Sequence, residues 1–231
     1  MVISIIIEGG VLAHENVSAL TMDNVEALRQ SLHRIFYQIL SNNENMSIRI
    51  IPQAGKKQAI KNFLSTDDGV YLLVDLDMPK AKISSWCNNL ATSTNNPIII
   101  PANKSSNIFF MIQEMEAWIL KQPESIYNWA AENNYICKKN DILLSEHTLL
   151  KGRDVENITK PSKVLEKLIS IFFLKANTGR SRTEQKKGGK IRYSKLKEGA
   201  ELLDCLDVGL LLSQDTELQR FQQILDSLSE L

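Results

Sequence analysis

The sequence predicts an α/β fold: a parallel sheet of about four strands flanked by helices, with a mostly helical C-terminal region. Three observations lead there. Ile3-Ser4-Ile5-Ile6-Ile7 and Val70-Tyr71-Leu72-Leu73-Val74 are nearly uninterrupted apolar runs, which is how strands covered on both faces read. Strand and helix patterns alternate through residues 1–105, and past residue 105 the pattern turns helical.

The first strand ends at Glu8. A helix follows from about Met22 to Leu40, because Val25, Leu28, Leu32, Ile35, Phe36 and Ile39 keep the 3.6 period and Thr21 can cap it. Ser47 to Ile51 reads as the second strand, stopped by Pro52. Gly55 turns into a short helix from Lys56 to Leu64, and Asp67-Asp68-Gly69 turns into the strand from Val70 to Val74. A helix carrying Ile83, Trp86, Cys87 and Leu90 comes next, and Pro97-Ile98-Ile99-Ile100 reads as the fourth strand. Beyond it, helices are expected over Phe109–Leu120, Ser125–Asn133, Pro161–Leu174, Ser194–Leu206 and Thr216–Leu228. The expected organisation is an α/β core over 1–105 and a helical region over 106–231, packed on or beside it, with a basic loop at about 176–192.

Composition narrows the class. The 231 residues are 43% hydrophobic and 23% charged, as in a globular protein. No apolar run reaches the roughly 18 to 20 residues a bilayer demands, and the N-terminus has no basic signal-peptide region, so a cytoplasmic protein is expected. Cys87, Cys137 and Cys205 are widely spaced and form no CxxC, implying neither a disulfide framework nor a zinc site. His14, His33 and His147 lie far apart and read as surface or packing residues.

Both apolar strands end in carboxylates: Glu8 before Gly9-Gly10, and Asp75-Leu76-Asp77. Acids at the carboxyl ends of parallel strands face the crevice where open α/β sheets bind ligands. Without an obvious cationic partner they suggest Mg²⁺ or Mn²⁺, since hard cations take oxygen ligands. A strand-end D-x-D also reads as a plain turn before Pro79, with Asp accepting backbone N–H bonds. Glu114 and Glu116 form a further pair. In a helix they stand about 200° apart, and Glu116 is the better candidate, because an acid among apolar neighbours needs a partner or an ion. A structural salt bridge is its alternative role.

Formal net charge is zero, but it is unevenly placed. Nine basic residues between Lys175 and Lys197 face only Glu184, giving that segment +8 and leaving −8 elsewhere. Arg180, Arg182, Lys186, Lys187, Lys190, Arg192 and Lys195 could hold a phosphate backbone, with the last two at the start of a helix whose N–H groups add to the attraction. A solvated basic loop is the alternative. No G-x-x-x-x-G-K-[ST] occurs, so this is not a P-loop. Lys56-Lys57 is a weaker candidate of the same kind.

A strand ending in Glu-Gly and a later one ending in D-x-D resemble the Toprim domain of topoisomerases, bacterial primases and overcoming-lysogenization-defect nucleases, a Rossmann-like sheet. More closely, the chain resembles a family of small, uncharacterised Toprim-like bacterial proteins. The resemblance rests on Ile7-Glu8-Gly9, Leu73-Val74-Asp75-Leu76-Asp77, Glu114 to Leu120, Pro161-Ser162-Lys163 and Tyr193-Ser194-Lys195. It implies that Asp75 and Asp77 bind metal and that Glu8 is a ligand or general acid/base. It also implies an ABC- or AAA-type ATPase partner in anti-phage defence. The run Glu8-Gly9-Gly10-Val11 departs from the family pattern, which often continues with a second acidic or polar residue, and Glu15 comes farther on. Glu116 or a partner would then complete the site.

The expected function is therefore a metal-dependent nuclease acting on DNA or RNA, as the effector of an ATPase, with a homo-oligomer possible. The alternatives are a non-catalytic interaction or sensor protein that binds the ATPase, and a phosphotransfer or nucleotide-hydrolysing enzyme using the same acids.

Overall fold

In the computed structural model, four parallel strands run in the order β2-β1-β3-β4, where β1 is Val2–Glu8, β2 Ser47–Gln53, β3 Val70–Asp75 and β4 Ile108–Met111. Residues 1–9, 19–40, 45–66, 69–92, 97–176, 191–195 and 197–229 are described, with side chains in the first helix from Val25 onward. β1, β3 and β4 are buried on both faces, because they send apolar residues alternately into two layers. Ile3, Ile5, Ile7, Tyr71, Leu73, Phe109 and Met111 point into one core, and Ile6, Leu72, Val74, Ile108 and Phe110 into the other.

The chain leaves β1 through α1 (Ala19–Ile39) to β2, returns through α2 (Lys56–Ser65) to β3, and thus crosses β1. The two helices lie on opposite faces: Leu28, Leu32, Ile35 and Phe36 of α1 join the first core, and Ala59, Ile60 and Phe63 of α2 join the second. The strand order therefore reverses at the β1–β3 seam. Outside the carboxyl ends of those two strands, a doubly wound sheet opens a crevice. Glu8 and Asp75 are the terminal residues of β1 and β3.

α3 (Ile83–Ala91) and the single turn α4 (Ala102–Ser105) lead into β4. Then come α5 (Glu116–Lys121), α6 (Ser125–Glu132), β5 (Tyr135–Cys137), α7 (Pro161–Phe172), β6 (Phe173–Lys175), α8 (Glu198–Asp204), α9 (Val208–Gln214) and α10 (Thr216–Ser229). β5 and β6 form a separate antiparallel pair. Among the described residues, no helix is long and apolar enough to cross a membrane.

Several elements differ from the sequence reading, among them the helix expected to reach Leu174, which ends at Phe172 where the unexpected β6 begins. Ile98 to Ile100 is not a strand: Pro97 and Pro101 bracket it, and Ile99 is 75% exposed. The fourth strand is Ile108–Met111, inside the stretch expected to be helical from Phe109 to Leu120, and it draws the sheet past residue 105. Thr21 lies inside α1 rather than capping it, and α8 starts at Glu198 rather than Ser194.

The outer edge of β4 is closed by α10. The Phe110 N–H donates to Glu217 Oε2 (3.2 Å), and Arg220 donates to the carbonyls of Ser106 (2.9 Å) and Ile108 while lying 3.9 Å from the centre of the Phe109 ring. Side chains thus satisfy edge groups that a further strand would otherwise pair with. Arg220→Ala should lower stability by about 2 kcal/mol, since hydrogen bonds from a charged donor contribute about 1.5–3. The expected reading is a lower denaturant midpoint at unchanged m value; an unaltered midpoint would mean the edge does not depend on this cap.

Candidate functional site

The site is built by three strand ends and a turn. Glu8 ends β1, and Gly9 follows it at φ 126, where a Cβ would stand 2.9 Å from Leu28 Cδ2. Only glycine fits that exit. β3 ends at Asp75. Leu76 turns into the second core, and Asp77 takes a left-handed conformation at φ 57. Gln113, just past β4, is also left-handed at φ 63, and the two residues interlock: Asp77 N–H donates to Gln113 O (2.7 Å) and Gln113 N–H to Met78 O (3.3 Å). Two non-glycine residues in that region carry backbone strain, which persists where surrounding bonds over-determine it.

The acids are held individually. Asp75 is 5% exposed; its Oδ1 accepts the Met115 N–H (2.9 Å) and its Oδ2 pairs with Lys195. Asp77 pairs with Lys56 at the start of α2. Glu116, the first residue of α5, is 1% exposed; its Oε1 accepts from the Tyr193 hydroxyl (2.8 Å) and its Oε2 has no partner. Glu8 Oε2 is likewise buried without a partner. Glu114 turns away to the start of α7, accepting the Ser162 N–H (2.9 Å) with Lys160 at 3.7 Å. The two glutamates thus part company, and Glu116 is the one at the cluster. Its partner is a phenol, not the salt bridge considered as its alternative.

Charge accounts for the ionisation. Burial raises the Glu8 pKa, and Asp75 adds to the rise against Lys56 and Lys195. Burial raises Asp75 too, opposed by Lys195. For Glu116, burial again raises the pKa, with Lys195 and the Tyr193 hydroxyl opposing it. At Lys195 burial acts to lower the pKa, but Asp75 and then Glu116 outweigh it, and the ammonium is held protonated. The four carboxylates and the two ammoniums sum to −2 at full ionisation.

A divalent cation fits this cluster in donor type and charge: carboxylate oxygens are hard ligands, and two buried ones lack partners. Yet among the described residues no three of His, Cys, Asp and Glu are gathered so as to hold one ion. Lysines stand on Asp75 and Asp77 instead.

Of the residues expected to hold phosphates, Lys195 sits on Asp75 and Arg192 is exposed, one residue before Tyr193 and three before Lys195, ahead of α8 rather than within it. Arg180, Arg182, Lys186, Lys187 and Lys190 lie outside the described residues, as does Glu15. Sequence reasoning missed Gln113 and the lysine–aspartate pairing. It treated Lys56 only as a weak phosphate ligand and Tyr193 only as part of a motif. Two non-glycine left-handed residues leave no periodic signal, and Lys195 is 120 positions from Asp75.

Beyond Gln113, whose side chain donates to Glu156 O (3.3 Å), lies a cavity of about 450 Å³. Its Lys121 is already satisfied by Glu156 (2.8 Å), Asp215 (2.8 Å) and Gln214 O (3.2 Å), leaving Lys80 and Arg153 as its exposed cations.

Native Glu116 binds its proton more tightly than in the unfolded chain, so stability falls as pH rises from the ordinary value of 4.5 through the raised native one. Glu116→Gln keeps an acceptor for Tyr193 and removes the charge. It should stabilise the protein at pH 7 by about 1–3 kcal/mol, the range for an unsatisfied buried polar group. Thermal melts should show that gain shrinking as pH falls to 4.5 and below. A difference independent of pH, or a loss at pH 7, would contradict the assignment.

No curated protein and no solved structure matches the chain. Residues 24–226 match the family model described as a domain of unknown function, DUF4276. That span begins after Glu8 and takes in Asp75, Asp77, Glu116 and Lys195. It covers most of the chain, and the protein belongs to the DUF4276 family.

Proposed function

We propose that this protein is a Toprim-like, metal-dependent nuclease that hydrolyses DNA or RNA phosphodiesters at the carboxylate cluster. The observation that carries this reading is that Glu8 and Asp75 end the two strands flanking the switch point, with Lys195 paired to Asp75, Lys56 paired to Asp77, and Glu116 within electrostatic reach of Asp75 and Lys195. Glu8, Asp75 and Asp77 would hold Mg²⁺ or Mn²⁺, with Glu116 beside them. Such an ion, when bound, polarises a phosphoryl oxygen.

The chain's own groups suit the remaining tasks. Hydrolysis forms a bond from water oxygen to phosphorus and breaks a phosphorus–oxygen ester bond. The water's proton passes to Glu8 or Glu116, whose proton affinity burial has raised toward the working range of a general base. The departing oxygen takes a proton from solvent water, and the ammoniums of Lys195 and Lys56 face the non-bridging oxygens. Arg192 and the basic residues from Arg180 to Lys190 add attraction for a polyanion. An ABC- or AAA-type ATPase as partner and a role in anti-phage defence rest on the family resemblance alone, and a cytoplasmic setting rests on the sequence pattern.

A second reading has its own support. Lysines already neutralise Asp75 and Asp77, as expected of a non-catalytic scaffold that binds an ATPase. Purified protein incubated with plasmid, single-stranded DNA and RNA in Mn²⁺ separates the two. The nuclease reading expects cleavage that falls at least ~100-fold in Asp75→Asn and Glu8→Gln, the scale of a lost general acid or base. Intact substrates throughout, or equal cleavage by the variants, would leave the scaffold.

A further inference from the structure

The segment Ile191–Lys195 crosses the cluster as a strap with one apolar anchor and two polar ones. Ile191 is buried in the first core. The Tyr193 hydroxyl reaches Glu116 and the Lys195 ammonium reaches Asp75, while Arg192 and Ser194 between them are exposed. Among the described residues, the strap's backbone bonds only forward into the next helix, Ser194 N–H to Glu198 Oε2 (3.0 Å) and Gly199 N–H to Ser194 O (3.1 Å). Among the described residues it has no strand partner. A segment with no ladder on either side opens more readily than a strand or helix. Past the buried Ile191, its attachment across the site depends on the Lys195–Asp75 ion pair and on Tyr193.

Those two attachments fall on acids that a cation would need. Lys195 covers Asp75 Oδ2, and Tyr193 covers one oxygen of Glu116. The oxygens left unpartnered, Glu8 Oε2 and Glu116 Oε2, belong to residues whose ionisation Lys195 also influences. With Lys195 and Lys56 both in place the cluster still carries an excess of two negative charges, and a divalent ion in place of Lys195 would leave one. A divalent ion matches that excess better, and it accepts several carboxylate oxygens at once, which an ammonium with three donors does less well.

We propose that Lys195 and a divalent cation are alternative occupants of the same carboxylate face, so that cation binding displaces Lys195 and releases the strap. The proposal rests on the metal-dependent reading above. It joins the two sequence expectations for this region, because the displaced ammonium becomes available to a phosphate only once the cation is in place. Lys195 is then an internal counter-ion in the resting site and a phosphate-facing group in the loaded one.

The test uses Mn²⁺ alone with the full chain, by titration calorimetry and by hydrogen–deuterium exchange of the 191–195 amides. Lys195→Met should bind Mn²⁺ at least ~10-fold more tightly than the wild type, since it removes the competitor, while Lys195→Arg stays within about two-fold. In the wild type, saturating Mn²⁺ should speed exchange in the strap at least ~10-fold, an effect that mere removal of positive charge does not produce. Mn²⁺ binding that leaves strap exchange unchanged or slowed overturns the proposal, as does equal affinity in Lys195→Met. No Mn²⁺ binding by either protein overturns it together with the metal-dependent reading. Binding and strap release without nucleic-acid cleavage supports the proposal and overturns only the nuclease.

Discussion

Burying Asp75 at the end of β3 is the constraint around which the rest of the site is arranged. A carboxylate that is 5% exposed has lost nearly all its water, and an isolated buried charge is costly. Its two oxygens are met from opposite directions, by the Met115 N–H ahead of α5 and by the Lys195 ammonium from 120 positions downstream. The first bond sets where α5 begins and hence where Glu116 stands. The second draws the chain between β6 and α8 back across the sheet. Gly199 in the first turn of α8 completes the fit, because a Cβ there would lie 3.0 Å from both the Met115 methyl and the Tyr193 hydroxyl.

The sheet supplies the frame for that arrangement, and its two edges are handled differently. β4 is short, buried on both faces and sealed by Glu217 and Arg220 of α10. That makes the C-terminal helix part of the α/β layer rather than an appendage: Phe221 from the same helix packs edge-on against Phe36, Tyr71 and Phe109. β2, on the other edge, alternates exposed Ser47 and Arg49 with buried Ile48 and Ile50, the pattern of a strand covered on one face. The inner strands β1 and β3 have neither option, which is why they carry the longest apolar runs.

That difference decided what was legible. β1 and β3 stand out because burial on both faces leaves an unbroken apolar run, and the acids that end each run mark the crevice. Ile98-Ile99-Ile100 has the same apolar composition but lies between two prolines, and composition alone does not say whether a run is covered. The stretch from Ile108 to Leu120 holds a strand, a strained turn and a helix in immediate succession, mostly apolar apart from Gln113, Glu114 and Glu116, so its periodicity averages to neither 2 nor 3.6. β5 and β6 are three residues each, too short to show a period. At the site, the acids could be read from their positions at strand ends. Their lysine partners could not, because charge along a sequence shows how many cations a segment carries and not which acid each one meets. Lys195 was read as part of a +8 surface and stands instead on a buried carboxylate.

The two sides of the cluster differ in how firmly they are held. α5 is pinned from behind by Asp215, which is 0% exposed and accepts four donors: Trp118 Nε1 (2.9 Å), Lys121 Nζ (2.8 Å) and the N–H groups of Glu217 (3.1 Å) and Leu218 (3.0 Å). A fully satisfied buried network of this kind fixes the helix, and with it the backbone of Glu116. Gln113 and Asp77 are locked to each other through their backbones in conformations that only surrounding bonds maintain. The carboxylates therefore stand on rigid supports, while Lys195 reaches them on a long flexible side chain from a segment without a sheet or helix of its own. In such a pairing, movement falls to the cation. Charge repulsion among Glu8, Asp75 and Glu116 cannot be relieved by the acids separating, so it is relieved by protonation, which burial favours at all three, and by Lys195, and the two compete for the same oxygens.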